Sequence, residues 1–118
     1  MKIAIISDIH GNMEAFEQVS ADIASSRVDD IISIGDHIGY GPQPEEVIKR
    51  IRQRNITALQ GNHELALVEP TYLDWFNPAA RESLNITRKL LSPQSINFIG
   101  NLNVFRGPIK DEDAAGFL

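Results

Sequence analysis

No cysteine occurs in the 118 residues, so a disulfide framework and thiolate chemistry are both excluded. Long apolar runs are missing too. No stretch approaches the roughly 18 apolar residues of a membrane-spanning helix. The opening apolar stretch is too short for a secretion signal, and Asp8 interrupts it. Positive charge is the minority, 11 basic residues against 16 acidic, for a net charge of −5. A mildly acidic chain argues against general binding to nucleic acid or anionic membranes. Histidine is scarce: only His10, His37 and His63 are present. The expectation from these absences is a soluble, cytoplasmic protein, a single domain over residues 1–118 with one real core. In that setting the glycosylation sequons at Asn55 and Asn85 carry no meaning.

What is present is organised around the first dozen residues. The run Ile3-Ala4-Ile5-Ile6 is short and rich in β-branched residues, which reads as a buried strand. It stops at Ser7-Asp8-Ile9-His10-Gly11-Asn12. Asp8 and His10 therefore sit at the C-terminal edge of a sheet, where open α/β sheets place their sites. A carboxylate oxygen beside an imidazole nitrogen suits borderline transition metals better than calcium. The same grammar returns at Ile31-Ile32-Ser33-Ile34-Gly35-Asp36 and at Ile56-Thr57-Ala58-Leu59-Gln60-Gly61-Asn62-His63-Glu64. Three parallel strands ending together would gather Asp8, His10, Asp36, Asn62 and His63 in one cleft. Singly, Asp8, Asp36 and Asn62 are ordinary turn or cap residues.

Between these stretches the pattern is helical. Met13, Phe16, Val19 and Ile23 repeat at helical spacing after Asn12, a good N-cap, and predict a helix to about Ser25. Gly39, Gly41, Pro42 and Pro44 make residues 36–44 a loop. A second helix is predicted from Pro44 to Arg54, with Val47, Ile48 and Ile51 inward. Lys49, Arg50, Arg52 and Arg54 read as its solvated face rather than a phosphate site. Leu65 to Val68 predict one or two helical turns. Tyr72, Trp75 and Phe76 form an aromatic cluster, expected as core or lid packing rather than a substrate pocket. Asn77-Pro78 and Ser92-Pro93 each start a helix, ending near Leu91 and Gly100. Asn103 to Arg106 could begin a strand, and residues 107–118 read as a loose polar tail.

With Asp8-x-His10, Gly35-Asp36 and Gly61-Asn62-His63-Glu64 in this order, the chain resembles the calcineurin-like metallophosphoesterase superfamily. Gly35 to Pro42 look like the form in a microbial phosphodiesterase branch. The resemblance implies an α/β fold: the N-terminal half of a four-layer sandwich, a mainly parallel sheet with flanking helices. It implies hydrolysis of phosphomonoesters or phosphodiesters at a two-metal site holding Mn, Fe, Zn or Ni. Carried over residue by residue, Asp8 and His10 map to ligands of one metal, Asp36 to the bridge and Asn62 to a ligand of the other. His63 maps to the histidine that meets phosphate or the leaving group. Glu64 is expected to orient His63 by accepting its ring proton. His37 is expected at the surface or behind the site, not as a ligand.

The chain departs from that family in one respect. Two later family motifs, Gly-His and Gly-His-x-His, supply three more histidine ligands, and no histidine follows His63. The expectation is a chain truncated after the N-terminal half, with weak or partial metal binding. A half-sandwich would also leave one sheet face bare, so self-association, or a helix folded across that face, is expected. The alternative to an enzyme is a catalytically impaired relic acting as a weak metal-binding or self-associating module. A nucleotide-binding regulatory domain finds no glycine-rich phosphate loop here.

Overall fold

In a computed structural model describing residues 1–104, four parallel strands lie side by side in chain order. They are β1 (Ile3–Ile6), β2 (Asp30–Ser33), β3 (Thr57–Gln60) and the short β4 (Asn103–Val104). Helix α1 (Met13–Ser25) joins β1 to β2, and α2 (Pro44–Gln53) joins β2 to β3. The last crossover holds α3 (Asn62–Val68), a 3₁₀ segment over Pro70–Trp75, α4 (Pro78–Leu90) and α5 (Pro93–Gly100).

Local sequence explains most boundaries. The Asn12, Asn77 and Ser92 side chains accept hydrogen bonds from the amides of Ala15, Ala80 and Ser95, capping α1, α4 and α5. Proline occupies the first position of α2, α4 and α5, where its missing N–H costs nothing. One helix differs from the pattern in sequence: α3 begins at Asn62, not near Leu65. Its first turn is secured partly from outside, because Asp36 Oδ1 accepts from the His63 amide.

Strands laid down in one direction by right-handed crossovers put their helices on one face. On that face Ile6, Ile31 and Ala58 pack against Met13, Phe16, Val47, Ile51 and Ile56. A second cluster joins Ile38, Ile48, Ala66, Leu67, Leu84, Leu91 and Ile99 between the helices. The opposite face is bare among the described residues: Ile3, Ile5 and Ile34 are all exposed, Ile5 at 62%. No described helix folds across it. The possible strand residues Phe105 and Arg106 and the tail 107–118 lie outside the described residues.

Candidate metal centre

Beyond the C-terminal ends of β1 and β2 the two loops are zipped together by backbone. Asp8 N–H donates to the Gly35 carbonyl (3.1 Å), His10 N–H to Asp36 (3.0 Å) and Gly11 N–H to His37 (2.8 Å). This pairing aligns three side chains at one edge, at a conformational cost. Asp8, His10 and Asp36 all have left-handed backbone, with φ of 58°, 47° and 58°. Non-glycine residues rarely hold that geometry, and strain of this kind clusters at functional sites. Asp8 is the least anchored of them, with its side chain 61% exposed. Asp8→Gly is therefore expected to raise stability by up to about 1 kcal/mol while weakening any metal binding. Thermal unfolding with EDTA and then with Mn²⁺ reads both effects.

The ligand-capable atoms of His10, Asp36 and His63 lie within 4.8 Å of one another. His10 Nδ1 is 2.9 Å from the Ile38 carbonyl, which can only accept, so Nδ1 carries the proton. In the neutral ring Nε2 is then a bare lone pair, facing Asp8 Oδ1 at 3.3 Å. Two acceptors at that distance call for a cation or a proton between them. His63 Nδ1 lies 3.1 Å from Asp36 Oδ1 and donates to it. Its Nε2 is buried with no hydrogen-bond partner. A buried orphan nitrogen needs a ligand to satisfy it. Burial opposes ionisation of Asp36, but the hydrogen bonds from the His63 ring and amide outweigh it and hold the carboxyl below its ordinary value.

Asp8, His10, Asp36 and His63 are thus brought together. Asn62, exposed at the first position of α3, precedes His63 in the chain and lines a cleft with Leu65, Tyr72, Trp75 and Phe76. Glu64 does not do what its position beside His63 suggests. Its carboxylate faces the loop backbone, where Oε1 accepts from the amides of Asp36 (2.8 Å) and Gly61 (2.7 Å). Oε2 accepts from His37 (2.8 Å) and Ile38 (3.3 Å). The residue that orients His63 is Asp36. Burial pushes the Glu64 carboxyl up, yet His37 and the backbone donors win and its pKa is lowered. His37 is fully buried behind the site, with Nε2 2.7 Å from Ser33 Oγ and Nδ1 3.5 Å from Glu64 Oε2. Gly61 is required by close approach: a Cβ there would stand 2.6 Å from Asp36 Oδ1.

Tyr40 is a site residue that motif reading passed over. Its ring lies edge-on to His10 (5.1 Å) and His63 (5.2 Å). The available signal was an aromatic residue between Gly39 and Gly41, four residues after Asp36. The aromatic cluster also differs from expectation. Phe76 is half-buried, packs on the helical core and meets the His63 ring edge-on at 5.1 Å. Trp75 is 83% exposed, so it is neither core nor closed lid. With Tyr72, Phe76, Leu65 and Asn62 it walls a cleft of 440 Å³.

Known proteins match the chain in sequence and in fold. The family model described as calcineurin-like phosphoesterase matches residues 1–113. An uncharacterized protein of Methanocaldococcus jannaschii is 35% identical over 100 residues, 85% of this chain and 41% of that protein. Serine/threonine-protein phosphatase 2 of Escherichia coli is 31% identical over 68 residues, 57% of this chain and 31% of the phosphatase. The crystal structure of a metallophosphoesterase from Sphaerobacter thermophilus superposes with a TM-score of 0.69 at 40% identity, over 91% of this chain and 44% of that one. The chain therefore spans less than half the length of each of these relatives.

Proposed function

The chain belongs to the calcineurin-like phosphoesterase family, and from that premise we propose that its sheet edge is part of a metal-dependent phosphoesterase site for phosphomonoesters or phosphodiesters. The observation that carries the reading is the meeting of Asp8, His10, Asp36 and His63, with His10 Nε2 facing Asp8 Oδ1 and His63 Nε2 buried without a hydrogen-bond partner. Carboxylate oxygens and imidazole nitrogens fit a borderline divalent ion such as Mn, Fe, Zn or Ni. Asp8, His10, Asp36 and Asn62 would hold the ions, with Asp36 shared between two. Bound divalent ions supply Lewis acidity toward phosphoryl oxygens and lower the pKa of bound water.

The chain's own residues do the rest. Asp36 is a carboxylate at neutral pH, and the hydrogen bonds from His63 offset the burial that opposes its charge. It also fixes the His63 ring through Nδ1, so that Nε2, when protonated, would donate to a phosphoryl oxygen or give its proton to the departing oxygen. The Ile38 carbonyl does the same for His10, fixing the tautomer that presents Nε2. The test is hydrolysis of bis-p-nitrophenyl phosphate and p-nitrophenyl phosphate with excess Mn²⁺, beside Asp36→Ala. Activity that this variant abolishes supports the reading.

A second reading has its own observation. Among the described residues Ile3, Ile5 and Ile34 are exposed on one sheet face, which favours a self-associating module. The bare face of Ile3, Ile5 and Ile34 would then pack against a second copy, each half-exposed isoleucine gaining about 1 kcal/mol on full burial. Sedimentation is expected to give a dimer that Ile5→Asp converts to monomer. A monodisperse wild-type monomer would discard self-association.

A further inference from the structure

The cleft beside Asn62 has no task in the site described above. Its walls are Leu65, Tyr72, Trp75 and Phe76, and its one polar lining residue is Asn62. Their arrangement follows from the 3₁₀ segment Pro70–Trp75. At three residues per turn, side chains three apart eclipse each other. Tyr72 and Trp75 therefore share one side, with ring centroids 6.4 Å apart and planes inclined at 56°. The result is an open wedge of two aromatic faces. Phe76 lines the cleft and also meets the His63 ring edge-on at 5.1 Å. The wedge and the His63 ring are thus neighbours, both packed against Phe76.

Three features select the occupant. The lining carries no charge, so a second phosphate or a basic side chain would find no counter-charge. The exposed faces are flat and aromatic, which suits stacking with a planar ring rather than burial of a branched alkyl chain. The volume of 440 Å³ is within the range of small-molecule sites. We propose that the Tyr72–Trp75–Phe76 cleft holds a planar aromatic group carried by the alcohol part of the ester, the base of a nucleotide or the ring of an aryl ester, so that the substrates are nucleotide-type or aryl phosphoesters rather than sugar or polyol phosphates. This rests on the phosphoesterase reading for the position of the phosphate.

The experiment uses the protein's single tryptophan, which is Trp75. Its emission is followed while adenosine 5′-monophosphate, phenyl phosphate or ribose 5-phosphate is added with Mn²⁺ present, and Mn²⁺ binding is measured separately by calorimetry. The two aromatic esters are expected to quench Trp75 and to bind about 5- to 150-fold more tightly than ribose 5-phosphate, the range for one stacked base. Which of the two binds tighter separates a nucleobase from a simple aryl group. In Trp75→Ala, followed by calorimetry, that preference is expected to disappear while ribose 5-phosphate binds as before. Equal affinities for all three in wild type, with Mn²⁺ bound, would overturn the cleft assignment and leave the phosphoesterase reading intact. Failure of Mn²⁺ and ribose 5-phosphate to bind, with adenosine 5′-monophosphate still quenching Trp75, would overturn the phosphoesterase reading and keep the aromatic cleft. Emission that changes with protein concentration and not with any ester would assign the cleft to a second copy and overturn the proposal.

Discussion

Glu64→Ala is expected to lower the unfolding free energy by about 4 kcal/mol or more, a large share of the roughly 5–15 kcal/mol that holds a domain folded at 25 °C. The reason lies in what the carboxylate serves. It accepts from four backbone amides, those of Asp36, His37, Ile38 and Gly61, and is itself fully buried. Each buried donor left without a partner costs about 1–3 kcal/mol. Alanine removes the acceptor for all four together and adds a cavity. Glu64→Gln is expected to be intermediate, since one oxygen remains while an NH₂ group now faces backbone donors. Urea unfolding followed by circular dichroism measures both. A loss under about 1 kcal/mol in the alanine variant would show that the loops are held by other contacts.

The same carboxylate predicts acid lability. Its pKa in the folded chain lies below the ordinary 4.5, because the backbone donors and His37 outweigh burial. A carboxyl with a depressed folded pKa binds fewer protons in the native state than in the unfolded state. Its contribution is therefore complete above about pH 4.5 and is lost as pH falls through the folded value. Stability of the wild type should drop steeply below that pH, and Glu64→Gln should flatten this part of the profile.

Much of this architecture is written locally. The caps at Asn12, Asn77 and Ser92 and the three β-branched runs each act within a few residues, so their elements stand where the sequence places them. The convergence of Asp8, Asp36 and His63 is legible for a related reason: parallel strands end at one edge. What the sequence conceals is non-local or depends on helical phase. Neighbours on a helix point about 100° apart, so once α3 begins at Asn62, His63 and Glu64 cannot share a task. His63 turns to Asp36, and Glu64 turns under the loop. The start of α3 was itself hidden, because one donor of its first turn is satisfied by Asp36 from a different loop. The aromatic wedge needed the 3₁₀ geometry, which composition does not signal. The left-handed backbone at Asp8, His10 and Asp36 was equally silent; aspartate tolerates it well enough to leave no glycine as a marker.

Asp36→Asn is expected to weaken Mn²⁺ binding by at least about 100-fold while leaving the fold in place. Asparagine keeps an Oδ1 that can accept from the His63 amide and ring as the carboxylate does at 3.0 and 3.1 Å. The change in stability without metal should stay within about 1 kcal/mol, the scale of exchanging a charged acceptor for a neutral one. Metal binding is different, because the lost group is a charge. Near a protein surface a unit charge about 4 Å from another is worth roughly 4 kcal/mol, and a divalent ion feels more. Thermal unfolding separates the two effects. With EDTA both proteins should melt within a few degrees of each other. With Mn²⁺ at about 100 times the wild-type Kd, the wild type should gain about 2.7 kcal/mol and the variant almost nothing. The difference in EDTA has its own pH signature. The folded pKa of Asp36 lies below the ordinary 3.8, so the wild-type advantage exists above that value and vanishes as pH falls through the folded one. Equal stabilisation of both proteins by Mn²⁺ would remove Asp36 from the metal centre and leave it as the acceptor that starts α3 and orients His63.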